Sequence, residues 1–130
     1  MSAFSAYLAN ELLDHVLKNL AFTAPTTIYV GLFTAGTNLE TNSQVNEVTG
    51  GSYARQTIAF DAAASSITQN TSDVTFPTAT ANWGTITHAC LIDALTTGNI
   101  LYWTALTASK TVNNGDTFKF LAGDFQVFHD

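Results

Sequence analysis

The chain of 130 residues has a net charge of −6, only 11% charged residues and four basic side chains, which are scattered. Because nucleic-acid binding needs clustered Lys and Arg to displace counterions, direct binding of DNA or RNA is not expected. No apolar run approaches the ~20 residues that span a bilayer, so a membrane is not an expected partner either. The length favours one domain, and the low charge favours a surface partly covered by other subunits.

A helical pattern covers residues 3–20. The apolar positions that recur every four residues are Phe4, Leu8, Leu12, Val16 and Leu20. Leu13 and Leu17 widen this stripe, and Ser2 can cap its start. The stripe must be covered either by the sheet of its own domain or by a partner in an oligomer, and the sequence leaves both open. We expect residues 1–26, the helix and a linker, to precede a β domain at 27–130.

The next segments alternate between strand and loop. Residues 27–34 are apolar on both faces, which predicts a central, doubly covered strand. Residues 35–52 form the longest loop, and we expect it to be exposed and to act as a contact arm, since loops of this length are uncommon unless they bind something or stay mobile. Residues 53–60 are predicted as a strand.

Arg55, on that strand, is the only arginine in the chain. Its planar guanidinium suits a carboxylate or a carbonyl edge. The predicted partners are Asp61, Asp73 or a neighbouring subunit.

Residues 73–93 hold a short strand that ends at Pro77, a corner at Trp83-Gly84 and a longer strand over residues 85–92. Strand side chains alternate between two faces. One predicted face carries Ile86, His88, Cys90 and Ile92; the other carries Thr87, Ala89 and Leu91. Neither face is strongly charged, so this strand belongs inside a sandwich or under a neighbouring subunit. We expect Cys90 to be a buried, inert thiol and His88 a core histidine bonded to a backbone carbonyl.

The C-terminal part has frequent turn signals. A strand is predicted over residues 100–106, and Asn114-Gly115 predicts a hairpin between 110–112 and 117–121. With a last strand at 125–128, the chain has about eight strands. It is therefore predicted to be mainly β, a jelly-roll-like β-sandwich with one N-terminal α-helix.

Catalytic patterns are lacking in the sequence. The three histidines lie far apart, and one cysteine cannot complete a zinc site. Nucleophile-elbow, phosphate-loop and dinucleotide-binding motifs do not occur. We therefore predict no enzyme, no catalytic residue, no metal and no cofactor. The glycosylation sequon at Asn70 is interpreted as a chance match.

Several segments of the chain are similar to a known family. They are Tyr7–His15, Phe22–Thr34, Gly50–Gln56, Val74–Ala81, Trp83–His88, Leu106–Val112 and Gly115–Phe118. Over nearly its whole length the chain resembles small structural proteins of tailed bacteriophages, of the capsid decoration, minor tail or tail-fibre type. It departs from them at residues 35–38, where the family usually carries Asp-Pro. The resemblance implies a virion location, no catalytic residues, and copies of itself and phage capsid or tail proteins as partners.

Three functions follow as hypotheses. The leading one is a capsid cement protein that binds neighbouring capsid subunits. The alternatives are a tail or tail-fibre component, and a carbohydrate-binding module that stacks sugars on exposed aromatics such as Tyr53, Trp83 or Trp103. At least one of Trp83 and Trp103 is predicted to be buried in the core or at a subunit interface. We expect a homo-oligomer, or ordering on the particle, through the helix and the 35–52 loop. The predicted interface side chains are Phe4, Leu8, Leu12, Val16, Leu39, Val45, Val48, Tyr53, Trp83 and Trp103.

Overall fold

The computed structural model describes residues 2–129, which are mainly β with one α-helix. The strands are Ser2–Phe4 (β1), Ile28–Phe33 (β2), Gln56–Ile58 (β3), Ile67–Gln69 (β4), Val74–Thr75 (β5), Gly84–Ile92 (β6), Ile100–Val112 (β7), Lys119–Phe120 (β8) and Gln126–Phe128 (β9). The helix, α1, spans Ala6–Leu17, and a single 3-10 turn spans Leu39–Thr41. The prediction of a mainly β protein with an N-terminal helix is confirmed.

Antiparallel pairing joins five strands into one sheet, in the order β1-β7-β6-β2-β3, and the other four into two ribbons, β4-β9 and β5-β8. The main core contains Val30 and Leu91 of the large sheet together with Val74, Phe120 and Val127 of the ribbons. The ribbons therefore pack over one face of the sheet. This pairing does not confirm the finer prediction of a jelly roll.

The opposite face of the large sheet carries a smaller apolar cluster. Its buried members are Phe33, Leu39, Cys90, Ile92 and Ile100, with Trp103 packed against them. Strands β2 and β6 thus bury side chains on both faces, as the sequence predicts for the segment at 27–34.

The helix among residues 2–129 is too short to cross a membrane.

The alternation along β6 is broken by an irregularity in its pairing with β7. The register shifts between Ile86 and His88, and a bulge of this kind changes which face the following residues occupy. As a result, Ile86 lies in the main core with Ala89, whereas Cys90 lies in the smaller cluster. The prediction that Ile86 shares a face with Cys90 is wrong for this reason.

The helix starts later and ends earlier than its apolar stripe predicts. Ser5, not Ser2, is the N-cap: its buried Oγ accepts a hydrogen bond from the Leu8 backbone N–H at 3.1 Å. Residues before it form β1, which pairs with Tyr102–Thr104 of β7. The chain leaves the helix at Asn19, whose φ of 58° is the left-handed conformation that often terminates helices. The predicted division of the chain at residue 26 stays a prediction.

The segment predicted as a hairpin around Asn114 and Gly115 instead connects two sheets. The preceding strand, β7, pairs with β6 and β1, whereas the following strand, β8, pairs with β5. The turn itself is present: Gly115 has φ 94°, and its N–H donates to the Ala79 carbonyl at 2.7 Å. The sequence signal therefore located the turn correctly but not the strand that pairs after it.

Replacing Gly115 with Val should lower the free energy of unfolding by about 1 kcal/mol or more, because a β-branched residue resists positive φ. A Cβ at this position has nothing within 4 Å, so the loss would come from the backbone alone. Gly115→Asn should lose less, since Asn tolerates positive φ better. Urea denaturation measures both variants, and equal stability of the Val variant and the parent protein would contradict this assignment.

Candidate functional site

Helix α1 leaves most of its apolar stripe exposed. Leu8 is 5% exposed and packs inward, whereas Val16 is 72% and Leu17 is 76% exposed, and about half of Leu13 and of Leu20 is exposed. The sheet of the same chain therefore covers the start of the stripe and not its later turns. Exposed apolar side chains are ordinary when single, but a contiguous set marks an interaction site.

The exposed stripe forms a shallow groove with a volume of about 370 Å³. Its lining is apolar and comprises Phe4, Ala9, Leu12, Leu13, Val16 and Leu17. We call the helical members of this set the α1 face. At about 100° per residue, Glu11, Asp14 and Lys18 fall on the opposite side of the helix. The α1 face is therefore uncharged and can be covered without burying an ionised group.

The base of the helix is fixed to the sheet. The Ser5 N–H donates to the Leu101 carbonyl at 2.9 Å, directly before α1 begins. The Phe4 ring packs edge-to-face on Tyr102, with ring centroids 5.3 Å apart, and on His129 at 4.4 Å. Because the first turn is anchored and the later turns are exposed, the helix presents the α1 face from a rigid base.

The 35–52 loop is held down by Arg55, which is buried. Its guanidinium donates to both carboxylate oxygens of Glu47 at 2.7 and 2.8 Å and to Gln44 Oε1 at 2.8 Å. It also donates to the carbonyls of Ala94 and Thr97, each at 2.8 Å. One side chain thereby joins the loop to the β6–β7 turn. The predicted preference for carboxylate and carbonyl partners is confirmed.

The predicted identity of the carboxylate is wrong. Asp61 accepts from Thr71 Oγ1, and Asp73 lies 3.3 Å from Lys119 on the surface, so neither is the partner of Arg55. Glu47 also accepts from Tyr53 Oη at 2.7 Å. Burial, followed by the charge of Glu47, raises the pKa of Tyr53, which keeps this hydroxyl protonated as a donor.

Exposure of the loop is correspondingly limited. Leu39 and Val48 are buried in the two apolar clusters, so the prediction of an exposed loop is wrong for them. Val45 is 81% exposed and remains available to a partner. Gln44 and Glu47 hold the loop inward through Arg55, Tyr53 and the Gly98 carbonyl, and no local sequence pattern specifies these pairings.

The aromatic side chains suggested for sugar stacking are engaged inside the chain. Trp83 is 5% exposed, and its Nε1–H donates to the Gly51 carbonyl at 2.9 Å. Tyr53 packs edge-to-face on Trp83 with centroids 5.4 Å apart. Trp103 is half-buried, and its Nε1–H donates to Glu40 at 3.2 Å. The prediction that at least one tryptophan is buried is confirmed, and these three rings do not form an open platform.

The comparison with protein families decides between the hypotheses. The family model described as podophage GP4 fiber I protein gp80 matches residues 3–128. The chain belongs to this family. No curated protein matches the chain. The gp80 family is one of non-enzymatic structural fibre proteins, so the predictions of a phage structural protein, a virion location and no enzymatic activity are confirmed.

Membership of the gp80 family also corrects the leading functional hypothesis. The family description is of a fibre, not of a capsid decoration protein, so it supports the tail-fibre alternative in place of capsid cement. The predicted interface residues divide accordingly. The buried ones, Leu8, Leu39, Val48 and Trp83, pack inside this gp80-family chain, and Tyr53 and Trp103 are half-buried. Phe4, Leu12, Val16 and Val45 keep some or most of their surface exposed.

Titratable side chains of this gp80-family chain serve its packing. His88 Nδ1 lies 2.8 Å from Thr87 Oγ1, rather than from the predicted backbone carbonyl, and burial lowers the pKa of His88. Its ring covers Gly36, where a Cβ would lie 2.5 Å from Nε2. Within residues 2–129, no three His, Cys, Asp or Glu side chains group in a way that could hold a metal ion.

Asn70 has a structural role that its sequon does not indicate. It is buried, donates from Nδ2 to the carbonyls of Ser72 and Leu121 at 2.9 and 3.0 Å, and accepts from the Phe125 N–H at 2.9 Å. A buried amide with these three partners ties the segment before β5 to the segment before β9.

Cys90 should not react with a thiol reagent in the native gp80-family protein. The side chain is buried, and burial followed by the nearby Glu47 raises the pKa of its thiol, so little thiolate is present and the reagent cannot reach it. Ellman's reagent should release colour only after denaturant is added. Rapid release from the folded protein would show that β6 opens locally or is less covered than described.

Proposed function

We propose that this chain is a structural subunit of a podophage tail fibre and that it is joined to the tail assembly through the α1 face. The observation that carries the proposal is the set formed by Leu13, Val16 and Leu17, which are exposed on a helix whose base is fixed to the sheet. The family membership supplies the fibre context. The function is mechanical: the protein binds, positions and is retained, without chemistry.

The energetics favour a contact at the α1 face. Burying a Leu or Val side chain that was exposed contributes roughly 1.5–3 kcal/mol in transfer free energy. Leu13, Val16 and Leu17 are each more than half exposed, so covering them removes most of the large apolar surface that α1 leaves in solvent. A modest contact of this size is sufficient in a fibre, because many linked copies multiply the retention.

Val16 and Leu17 offer the direct test. The double variant Val16→Glu, Leu17→Glu should fold, since both side chains are largely exposed, but it should be lost from purified phage particles. Lys18→Glu introduces the same carboxylate on the opposite side of the helix and should be incorporated normally. Immunogold labelling of particles that carry the parent protein should mark the tail.

Two results would overturn the proposal. Incorporation of the double variant at the parental level would show that the α1 face is not the attachment surface. Labelling spread over the capsid would show that the protein is not in a tail fibre. Circular dichroism and urea denaturation of each variant exclude a loss of folding as the cause.

A further inference from the structure

We propose that a groove beside strand β7 takes up an extended segment of another protein of the particle. The segment adds to the large sheet as a strand and carries an acidic side chain beside Lys110. This surface is separate from the α1 face, so the inference does not rest on the proposed attachment. It adds a second contact and the chemistry of the partner at that contact.

The groove follows the side of β7 on which β1 ends. Strand β6 pairs with β7 along one side from Ile100 to Val112, whereas β1 covers the other side only from Tyr102 to Thr104. Beyond Thr104, no further strand among residues 2–129 joins that side. The edge of a sheet presents N–H and C=O groups with which another chain can pair. The large sheet therefore has an open position in line with β1.

The other wall of the groove is formed by the two ribbons. A volume of about 430 Å³ lies between β7 and strands β8 and β9. Its apolar lining includes Phe120, which is buried, and Leu106 and Phe128, which are half-buried. Because the side chains of a strand alternate, one face of an added strand can cover Leu106 and Phe128 while the other faces solvent.

A bulge shapes the edge that the partner has to match. Residues 106–109 lie between two paired positions of β7, whereas only Thr87 separates the partners of those positions on β6. Three residues of this bulge, Leu106, Thr107 and Ala108, line the groove. Bulges and lysines at a sheet edge discourage indiscriminate strand pairing. A segment that pairs here must therefore fit the bulge and the lysine that follows it.

Charge indicates the chemistry of the partner. The chain has ten acidic and only four basic residues, yet Lys110 and Lys119 both line the groove. Lys119 lies 3.3 Å from Asp73, whereas none of the ion pairs within residues 2–129 involves Lys110. The acidic side chain of the lining, Asp124, accepts a hydrogen bond from the Leu121 N–H at 2.9 Å. Lys110 is thus the available cation, and electrostatic complementarity favours a segment with Asp or Glu beside it.

A different protein fits the groove better than a second copy of this chain does. Pairing the β7 edges of two copies would bring two bulges and two sets of lysines into one contact, where like charges oppose each other. A plain extended segment meets neither obstacle. The stretch from Thr104 to Lys110 spans about 20 Å at about 3.3 Å per residue, so a segment of about five or six residues fills it. Main-chain hydrogen bonds then supply affinity, and the side-chain contacts supply specificity.

Photo-crosslinking in assembled particles identifies the occupant. Particles are produced with benzoyl-phenylalanine in place of Ala108 or, separately, of Thr107, both of which are exposed and line the groove. After irradiation, mass spectrometry should find a cross-link to one segment of a different structural protein, with Asp or Glu in that segment. The same group in place of Leu121, which is 53% exposed but lies outside the groove, should not give this product.

A synthetic peptide with the sequence of the cross-linked segment tests how it is recognised. In fluorescence anisotropy, Lys110→Glu should weaken binding of the peptide at least about tenfold, and a peptide with Lys in place of its acidic residue should recover binding to this variant. Lys18→Glu makes the same charge change on α1 and should bind as the parent does. N-methylation of alternate peptide residues should abolish binding, because it removes main-chain donors. Circular dichroism confirms that each variant is folded.

Several results would overturn the inference. A cross-link only to a second copy of this chain would replace the partner, and particles without a cross-link specific to the groove would show that it is unoccupied. Binding that survives N-methylation would show that no strand is added, and a charge exchange that recovers nothing would remove the role of Lys110. None of these results bears on the α1 face, which is tested by the loss of Val16→Glu, Leu17→Glu from particles.

Discussion

Arg55→Ala should destabilise the protein by roughly 3–5 kcal/mol, the range expected when one partner of a buried ion pair is removed. The side chains of Arg55 and Glu47 are only 3% and 13% exposed, so the substitution leaves a carboxylate inside the protein without its cation. It also removes the donors to Gln44 and to the carbonyls of the β6–β7 turn. Arg55→Lys should recover little, because a single ammonium cannot replace the planar fork. Chemical denaturation measures both variants.

The exposed pair of Lys119 and Asp73 provides the matched control, since each side chain is about half exposed, at 45% and 47%. Exposed ion pairs contribute about 0–1 kcal/mol, so Lys119→Ala should have a small effect. The double variant Arg55→Met, Glu47→Gln should lose less than the sum of the two single substitutions, because no unpaired charge then remains. If Arg55→Ala cost no more than Lys119→Ala, the loop would not depend on the guanidinium.

Phe76→Ala should cost about 3–5 kcal/mol, the typical loss for removing a core phenylalanine. Phe76 is 1% exposed and lies at the centre of an aromatic group. Its ring centroid is 5.7 Å from that of Phe118 and 6.4 Å from that of Phe120, both edge-to-face, so the substitution opens a cavity between β5 and β8. The emission of Trp83, which packs edge-to-face on Phe76, should report the same transition as circular dichroism.

Leu121→Ala is the control for Phe76→Ala, because Leu121 follows β8 directly but is 53% exposed. Surface substitutions of this kind usually change stability by within about 0.5 kcal/mol. A loss for Phe76→Ala no greater than that for Leu121→Ala would show that this region of the core relaxes to fill the space. Phe76→Leu should fall between the two, since it keeps most of the buried volume.

The features that the sequence predicted well are those set by local periodicity. The two-sided apolar pattern of 27–34 identified β2 as a central strand, and the four-residue repeat identified α1. The sequence also carries a signal for the start of the helix. Ser5 is at the cap position, and Phe4 before it and Ala9 four residues after it are at the two positions that form a hydrophobic staple. The prediction of Ser2 as the cap did not use this signal, and it placed residues of β1 in the helix.

The features that failed depend on contacts that no local sequence pattern specifies. The Asn114-Gly115 signal fixes the backbone of a turn but not whether the next strand joins the same sheet, and the main core draws β8 to β5 instead. The partner of Arg55 is likewise chosen by burial, since the nearer acidic residue, Asp61, is bonded to Thr71. For the candidate site, the stripe was predicted, but the sequence could not show that the sheet covers Leu8 and leaves Val16 exposed.

The pairing of β1 with β7 governs how the protein forms during synthesis. Phe4 pairs with Tyr102, 98 residues later, so the ribosome must release most of the chain before the base of the helix can be fixed. Contacts between such distant segments close slowly and leave apolar surface exposed in the meantime. Among residues 2–129, strand β1 pairs with no other strand of the large sheet, so the start of α1 stays unanchored until β7 has been made.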